Sequence, residues 1–167
     1  MKKIILLNLI FIVGFACQQK PQAVDVDAAK TSITVVLDDL QKAMSRLDVD
    51  GYMKHLSDDG LFCGTDESEF WDKSGLIAIM TQSFPDSIQS MNFPLDKREI
   101  RLSSDGKSAM AIEQYLKTDM FGPRLPMRID YHLIDNNGIW IIDLMTMNFV
   151  PYNEDLPTII NALADSE

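Results

Sequence analysis

The sequence is poor in cysteine and in positive charge, and each shortage excludes a class of protein. Cysteine occurs only at Cys17 and Cys63, too few for the several bridges that hold small secreted domains together. Lysine and arginine number 15 against 25 acidic residues, which gives a formal net charge of −10. Such an acidic surface repels nucleic-acid phosphates and anionic lipid headgroups, so we expect no nucleic-acid partner.

The opening of the chain has no apolar run long enough to span a bilayer. The apolar stretch from Ile4 to Phe15 is shorter than the roughly 20 residues of a spanning helix. The stretch follows the basic start Met1-Lys2-Lys3. A basic start and a short apolar stretch are together typical of an export signal. Gly14-Phe15-Ala16-Cys17 resembles a bacterial lipobox, with Gly14 where Leu or Val is usual. The resemblance implies that Cys17 is diacylated; ordinary cleavage before Cys17 is the alternative.

These features predict a signal peptide at 1–16, a tether at 17–26 and one domain at 27–167. Two acyl chains would anchor the protein without a spanning segment, so the lipid alone would hold it at the membrane. We expect a lipid-anchored protein of the bacterial cell envelope, on the periplasmic face. Gln18 lacks the aspartate that retains some lipoproteins at the inner membrane, which favours the outer membrane. With Cys17 lipidated, Cys63 would have no disulfide partner.

Three helices are predicted in the first half of the domain. Apolar residues recur at three- and four-residue steps between Ile33 and Leu47, which predicts an amphipathic helix over about 27–47. A short second helix follows and ends at Ser57-Asp58-Asp59-Gly60, after which a strand begins. Ser74 is the predicted N-cap of the third helix.

The periodicity changes from 3.6 to 2 beyond Phe93, which indicates strands. Asp105-Gly106 and Asn137-Gly138 are typical of tight hairpin turns. The predicted segments are a strand at Ile100 and Leu102, strands at about 108–118, 126–134 and 139–150, and a final helix at about 155–164. Helices first and strands afterwards favour an α+β fold, with helices packed on one face of a curved antiparallel sheet.

The last strand is apolar on both of its predicted faces. Strict alternation places Trp140, Ile142, Leu144 and Val150 on one face and Ile139, Ile141, Met145, Met147 and Phe149 on the other. Both faces should therefore be covered. The helices cover one, and a second subunit is the simplest cover for the other, so we expect a homodimer through the sheet. The alternative is that the first helix or the C-terminal segment wraps around instead.

Three segments resemble the SnoaL-like branch of the nuclear transport factor 2-like superfamily. Phe62 to Trp71 reads F-C-G-T-D-E-S-E-F-W, similar to a signature of small exported SnoaL-like domains. The aspartate-rich passage 50–62 and the Gly138-Ile139-Trp140 strand with the segment 148–154 are also similar. The resemblance covers about 33–156 and implies a cone-shaped α+β domain with an internal pocket. Isomerases, cyclases, dehydratases and non-catalytic binding proteins share this fold, so function must be argued from the pocket.

The resemblance also implies where a catalytic acid or base would lie. The position of the isomerase base corresponds to Gly64, so that base is missing. Asp66 and Glu69 are close by, but in a polar turn that we expect to be solvated. Cyclases of the superfamily place an acid on a later strand, where the candidates are Glu113, Asp130 and Asp143.

Asp143 is the candidate with the most apolar sequence neighbours. Loss of solvation would raise its pKa and suit it to proton transfer, with His132 or Tyr131 as its partner. The alternative is a salt bridge from Asp143 to Arg101, Lys117 or Arg128 on a neighbouring strand, because a buried carboxylate is more stable paired than alone.

The expected pocket is lined by apolar and aromatic side chains. Several methionines are expected to face inward: Met80, Met110, Met127, Met145 and Met147. Their thioether side chains adapt their shape and suit a flexible apolar ligand. The alternative is that these methionines simply fill the core. Two histidines without metal-ligand spacing predict no metal site, and we expect no cofactor. The predicted lining residues are Tyr52, Cys63, Trp71, Met80, Tyr115, Tyr131 and Met145.

The sequence therefore predicts a binding domain for a small, mostly apolar ligand that is not an enzyme. One alternative is an isomerase, cyclase or dehydratase that uses Asp143 with His132. The other is a protein–protein interaction module of the envelope, with the sheet face binding another protein.

Overall fold

The computed structural model describes residues 24–83, 90, 94–116 and 125–164. The predictions for the export signal, for Cys17 and for Lys117 lie outside these residues. The elements confirm the predicted α+β class, and in chain order they are α1 Val26–Ser45, α2 Val49–Met53, β1 Leu56–Cys63, β2 Phe70–Trp71, α3 Lys73–Ser83, β3 Lys97–Leu102, β4 Ser108–Tyr115, β5 Met127–Asn136, β6 Ile139–Phe149 and α4 Leu156–Ala164.

Helix α1 forms where the 3.6-residue periodicity places it, within two residues of the predicted bounds. The side chain of Asp25 accepts a hydrogen bond from the backbone N–H of Ala28 at 3.0 Å, which satisfies one of the free donors at the helix start. The helix buries one apolar face. Just beyond its end, Leu47 has a positive φ of 56°. The buried residues of α1 are Ile33, Leu37, Leu40 and Ala43.

The six strands form one sheet in the order β2-β1-β6-β5-β4-β3. The prediction of an antiparallel sheet is confirmed for β3 to β6. It is wrong for β1, which pairs parallel with β6. A parallel pair needs a long crossover connection, and the whole chain between β1 and β6 supplies it.

The passage from α2 into the sheet differs from the prediction. Ser57 to Gly60 lies within β1 and does not end a helix, and the β1–β6 register shifts between Leu56 and Leu61. This irregularity accommodates a polar, turn-prone sequence inside a strand.

The cap of α3 and strand β2 are also corrections. Asp72, not Ser74, caps α3: the backbone N–H of Gly75 and the hydroxyl of Ser74 both donate to Asp72 Oδ1 at 2.7 Å. Strand β2 was not predicted, because a two-residue strand carries too short a pattern to detect.

A bulge in β6 overturns the strict alternation predicted for that strand. His132 pairs with Leu144 and Leu133 pairs with Ile142, so Asp143 has no opposite residue. The extra residue reverses the two faces beyond it. As a result Trp140, Ile142, Met145 and Met147 share the inner face with the core, and Leu144 lies on the outer face.

Helices α1 and α3 pack against strands of the sheet, and α2 joins the two helices. The core between these layers contains Phe62, Leu133 and Ile142, all fully buried. On the opposite, outer face Leu61, Met110 and Ile112 are between 40% and 44% exposed. Within the described ranges, no helix has the length and apolar character needed to cross a bilayer.

Candidate functional site

A cavity of about 280 Å³ lies between the helices and the inner face of the sheet. Side chains from both layers, the helices and the sheet, border it. Its wall is mainly apolar and aromatic. The lining residues are Leu40, Gln41, Met44, Tyr52, Thr65, Glu69, Trp71, Leu76, Ile79, Met80, Ser83, Tyr115, Met127, Ile129, Tyr131, Met145 and Met147.

Six of the seven predicted lining residues border this cavity, and Cys63 does not. Phe62 is the β1 residue that points inward and is fully buried, so the next residue points outward. Cys63 borders a separate, more open groove with Phe70 and Phe149. It is a free thiol, and burial raises its pKa. Met110, predicted to face inward, lies on the outer face.

Three buried tyrosines form one end of the cavity. Tyr52, Tyr115 and Tyr131 are 3% to 4% exposed. The hydroxyls of Tyr115 and Tyr131 both donate to Glu113 Oε2, the second over 3.4 Å, and Tyr52 donates to the Sδ of Met145 at 3.2 Å. Burial, reinforced by the nearby charge of Glu113, raises the pKa of each tyrosine above its usual value. These phenols are therefore neutral at physiological pH.

Behind the tyrosines lies an ion-paired carboxylate. Glu113 is 1% exposed, and the Nε of Arg98 donates to its Oε1 at 2.6 Å. The Nη1 of Arg98 also donates to Asp38 Oδ1 on α1, at 2.7 Å. Burial lowers the pKa of Arg98, but its two carboxylate neighbours outweigh this and raise it overall. The guanidinium thus offsets much of the cost of burying Glu113.

Glu113 is one of the three strand-borne acids that the sequence offers as candidates, and its burial and ion pair distinguish it from the other two. It shares its strand face with Ala109, Ala111 and Tyr115, and all four are buried. It also lies opposite Arg98 in the β3–β4 register. The inward-facing pattern and the opposite charge across the hairpin were the signals that could have identified it.

The turn between β1 and β2 forms the rim of the cavity. Glu69 Oε2 accepts hydrogen bonds from the backbone N–H groups of Thr65, at 2.7 Å, and Asp66, at 3.0 Å. A Cβ on Gly64 would lie 2.1 Å from that oxygen and 2.8 Å from the ring of Trp71. The Gly-Thr-Asp-x-x-Glu-x-Trp run is therefore a compact turn that brings Glu69 and Trp71 to the cavity.

The turn was expected to be solvated, and the two of its carboxylates considered from the sequence, Asp66 and Glu69, differ in this. Asp66 is exposed, and hydrogen bonds from the hydroxyl and backbone N–H of Ser68 lower its pKa. Glu69 is half-buried and lines the cavity.

The predicted partnership of Asp143 with His132 is present, but on the outer face. His132 Nδ1 lies 2.6 Å from Asp143 Oδ1, and the two side chains are 31% and 30% exposed. Neither residue lines the cavity. Of the arginines considered as partners for Asp143, Arg128 instead donates to the side chain of Gln114.

The second histidine lies near the start of β1. The Nε2 of His55 is buried without a hydrogen-bond partner, and burial lowers the pKa of this histidine, which favours its neutral form. Among the described residues, no group of three or more His, Cys, Asp or Glu side chains is arranged to hold a metal ion.

Comparison with known proteins supports the same architecture. The family model described as "SnoaL-like domain" matches residues 33–143. A nuclear transport factor 2-like protein of unknown function from Pseudomonas putida superposes with a TM-score of 0.64 at 18% identity, covering 78% of this chain and 92% of its own. A similar protein from Cytophaga hutchinsonii gives 0.60 at 16% identity, covering 72% and 98%.

A protein of unknown function with a cystatin-like fold, from Nostoc punctiforme, gives a TM-score of 0.57 at 14% identity, covering 73% of this chain and 91% of its own. At these identities the likeness to solved structures shows the fold alone. No protein of curated function matches this chain.

Proposed function

This chain belongs to the SnoaL-like domain family, and on that premise we propose that it is a non-catalytic binding domain for a small, mostly apolar ligand. The observation that carries the proposal is the cavity of about 280 Å³ between helices and sheet. An engineered apolar cavity of about 150 Å³ is large enough to bind benzene. The larger cavity here suits a molecule of about two fused rings.

The state of the carboxylates nearest the cavity, Glu69 in its wall and Glu113 behind the tyrosines, supports binding rather than catalysis. A general base needs a carboxylate that can reach the proton it removes. Glu113 is already engaged by Arg98 and two tyrosines, and Glu69 is engaged by two backbone N–H groups. The pair proposed for an enzyme, Asp143 with His132, lies outside the cavity.

The binding proposal is tested with 2-methylnaphthalene as an apolar probe in equilibrium dialysis. The wild-type chain should bind it, and Ile79→Trp should abolish binding because Ile79 on α3 lines the cavity. Ile77→Trp is the matched control, since Ile77 lies on the same helix but is 40% exposed. Absence of wild-type binding, or equal loss in both variants, would count against the cavity as the binding site.

Native mass spectrometry of protein purified from its own source addresses the natural ligand. A retained small molecule that is recovered chemically unchanged after prolonged incubation supports a binding protein. Conversion of that molecule by the wild type but not by Asp143→Asn would instead support the enzyme alternative, for which the 2.6 Å contact between Asp143 and His132 is the favouring observation.

We further propose that the chain is anchored through lipid on Cys17 and faces the periplasm. The support is the basic start, the apolar stretch and the small residues before Cys17. Metabolic labelling with an alkyne fatty acid should label the wild type and not Cys17→Ser, and the variant should leave the membrane fraction. A wild-type protein that takes up no label would rule out the lipid anchor.

A homodimer through the outer face of the sheet is the third part of the proposal. Its support is the exposure of Leu61, Met110 and Ile112 on one surface of neighbouring strands. Ile112→Lys should convert a dimer into a monomer in light scattering, whereas Ile77→Lys on α3 should leave it a dimer. A monomeric wild type at micromolar concentration would favour a different protein as the partner of this face.

A further inference from the structure

We propose that the tyrosine end of the cavity is a subsite for a neutral hydroxyl group on the ligand. The subsite consists of Tyr52, Tyr115 and Tyr131 with Glu113 behind them. This inference rests on the proposed binding function and specifies which polar group the otherwise apolar ligand carries. It follows from the direction of each hydrogen bond and from the charge at this end of the cavity.

The hydroxyl protons of two tyrosines are already directed into the protein. A carboxylate accepts hydrogen bonds and cannot donate them when ionised, so Tyr115 and Tyr131 act as donors toward Glu113. Each phenolic oxygen also has lone pairs. Because Tyr131 also lines the cavity, its oxygen can accept a hydrogen bond from a bound ligand.

Tyr52 can act as a hydrogen-bond donor to a ligand. Its hydroxyl donates to the Sδ of Met145, and a thioether is a weak acceptor. A ligand oxygen would be a better acceptor for this proton, so the Tyr52 hydroxyl can turn to it at little cost. The subsite therefore provides a replaceable donor, the Tyr52 hydroxyl, beside an acceptor, the Tyr131 oxygen. A hydroxyl group, which both donates and accepts, matches this arrangement.

The charges at this end disfavour an anionic ligand. Two carboxylates, Glu113 and Asp38, surround the single guanidinium of Arg98, which leaves a net negative charge behind the tyrosines. Glu69 adds another carboxylate at the rim. A ligand carboxylate would lose hydration and meet repulsion in this low-dielectric site.

The test compares three molecules of similar shape by equilibrium dialysis at neutral pH: 2-naphthol, 2-methylnaphthalene and 2-naphthoate. We expect the wild type to bind 2-naphthol about tenfold more tightly than 2-methylnaphthalene, the range of one added hydrogen bond. The anionic 2-naphthoate should bind most weakly. Tyr52→Phe should reduce the preference for 2-naphthol over 2-methylnaphthalene to about twofold or less.

Tyr152→Phe is the matched control, because Tyr152 is 44% exposed and does not line the cavity. Equal wild-type affinity for 2-naphthol and 2-methylnaphthalene would overturn the hydroxyl subsite while leaving the binding function intact. Tightest binding of 2-naphthoate would overturn the subsite in the same way. Failure of all three molecules to bind would overturn the proposed binding function, and the subsite with it.

Discussion

The sheet carries an ion pair on each of its two faces, and the two pairs have different surroundings. On the inner face Glu113 is 1% exposed and Arg98 is 11% exposed in its side chain. On the outer face His132 and Asp143 retain about a third of their exposure. The same β-strand geometry therefore produces a pair that the fold depends on and a pair that water can solvate.

This difference indicates that burial, rather than the distance between the charges, decides how much stability is lost when one partner of an ion pair is removed. The closest contacts in both pairs are 2.6 Å. Removing one partner of a buried pair leaves an uncompensated charge in the interior, whereas a partly exposed charge regains water. The inner pair is also coupled to the cavity wall, because Tyr115 and Tyr131, which line the cavity, donate hydrogen bonds to Glu113.

The largest effect is expected from Arg98→Met. It should destabilise the domain by about 3–5 kcal/mol, because Glu113 loses its only guanidinium partner in the part of the chain that the structure describes. Urea unfolding followed by circular dichroism measures this. Arg101→Met on the exposed face of the same strand should change stability by less than about 0.5 kcal/mol. Similar stability of the two variants would break the distinction between the faces.

Gly64→Ala tests the rim of the inner face. The new Cβ would displace Glu69 from the backbone N–H groups of Thr65 and Asp66, at a cost of about 1–3 kcal/mol. The same substitution in a Glu69→Ala background should cost less, because one of the two clashes is already gone. Additive effects of the two changes in urea unfolding would show that Glu69 is not what requires the glycine.

The buried tyrosines predict a loss of stability at alkaline pH. Their pKa values are raised in the folded state, so on unfolding above pH 10 each tyrosine releases a proton. Their contribution is fully present below the unfolded pKa and decreases as pH rises toward the folded pKa. Each tyrosine should add up to about 1.4 kcal/mol per pH unit to the decline, the full value being reached where the unfolded phenol is almost completely ionised.

Tyr52→Phe should remove one tyrosine's share of that slope in unfolding measured between pH 9.5 and pH 11, on average about 0.8 kcal/mol per pH unit, because the unfolded phenol is only partly ionised near its pKa of about 10. Tyr152→Phe, at the exposed position, should leave the slope unchanged. An identical slope in both variants would mean that the phenol of Tyr52 becomes ionised as readily in the folded chain as in the unfolded one.

The smallest effect is expected on the outer face. His132→Gln should change the stability of the domain by less than about 1 kcal/mol, because the charge left on Asp143 remains partly hydrated. The binding of 2-methylnaphthalene should be unaffected, since neither residue lines the cavity. A loss of several kcal/mol in urea unfolding would show that the outer pair is as essential as the inner one.

The elements with long, regular patterns were predictable from the sequence, and the irregular ones were not. Helix α1 carries four buried residues at helical spacing, so its bounds were predicted within two residues. The turns at Gly106 and Gly138, with φ of 69° and 87°, were marked by the residue types that tolerate positive φ. By contrast, Asp143 at the β6 bulge and Ser57–Gly60 within β1 contradict the local pattern, because pairing with a distant strand overrides it.

The types of side chain that line the candidate site were predictable from the sequence. Aromatic residues and methionines at inward-facing positions identified six of its lining residues. The cluster of Tyr52, Tyr115 and Tyr131 around Glu113 was not predictable, because these residues come from α2, β4 and β5 and meet only through the sheet register and the position of α2. The placement of Cys63 failed for a simpler reason, since it depends on which of two alternating faces points inward.

The sequence by itself determined the fold class, the order of helices and strands, the acidic character and the apolar composition of the interior, because these depend on local periodicity and residue type. Tertiary structure alone decided which carboxylate is buried and which is solvated. It did so through the β3–β4 register that pairs Glu113 with Arg98 and through the bulge that places Asp143 on the outer face. Such choices depend on contacts between residues far apart in the chain, where no local pattern records them.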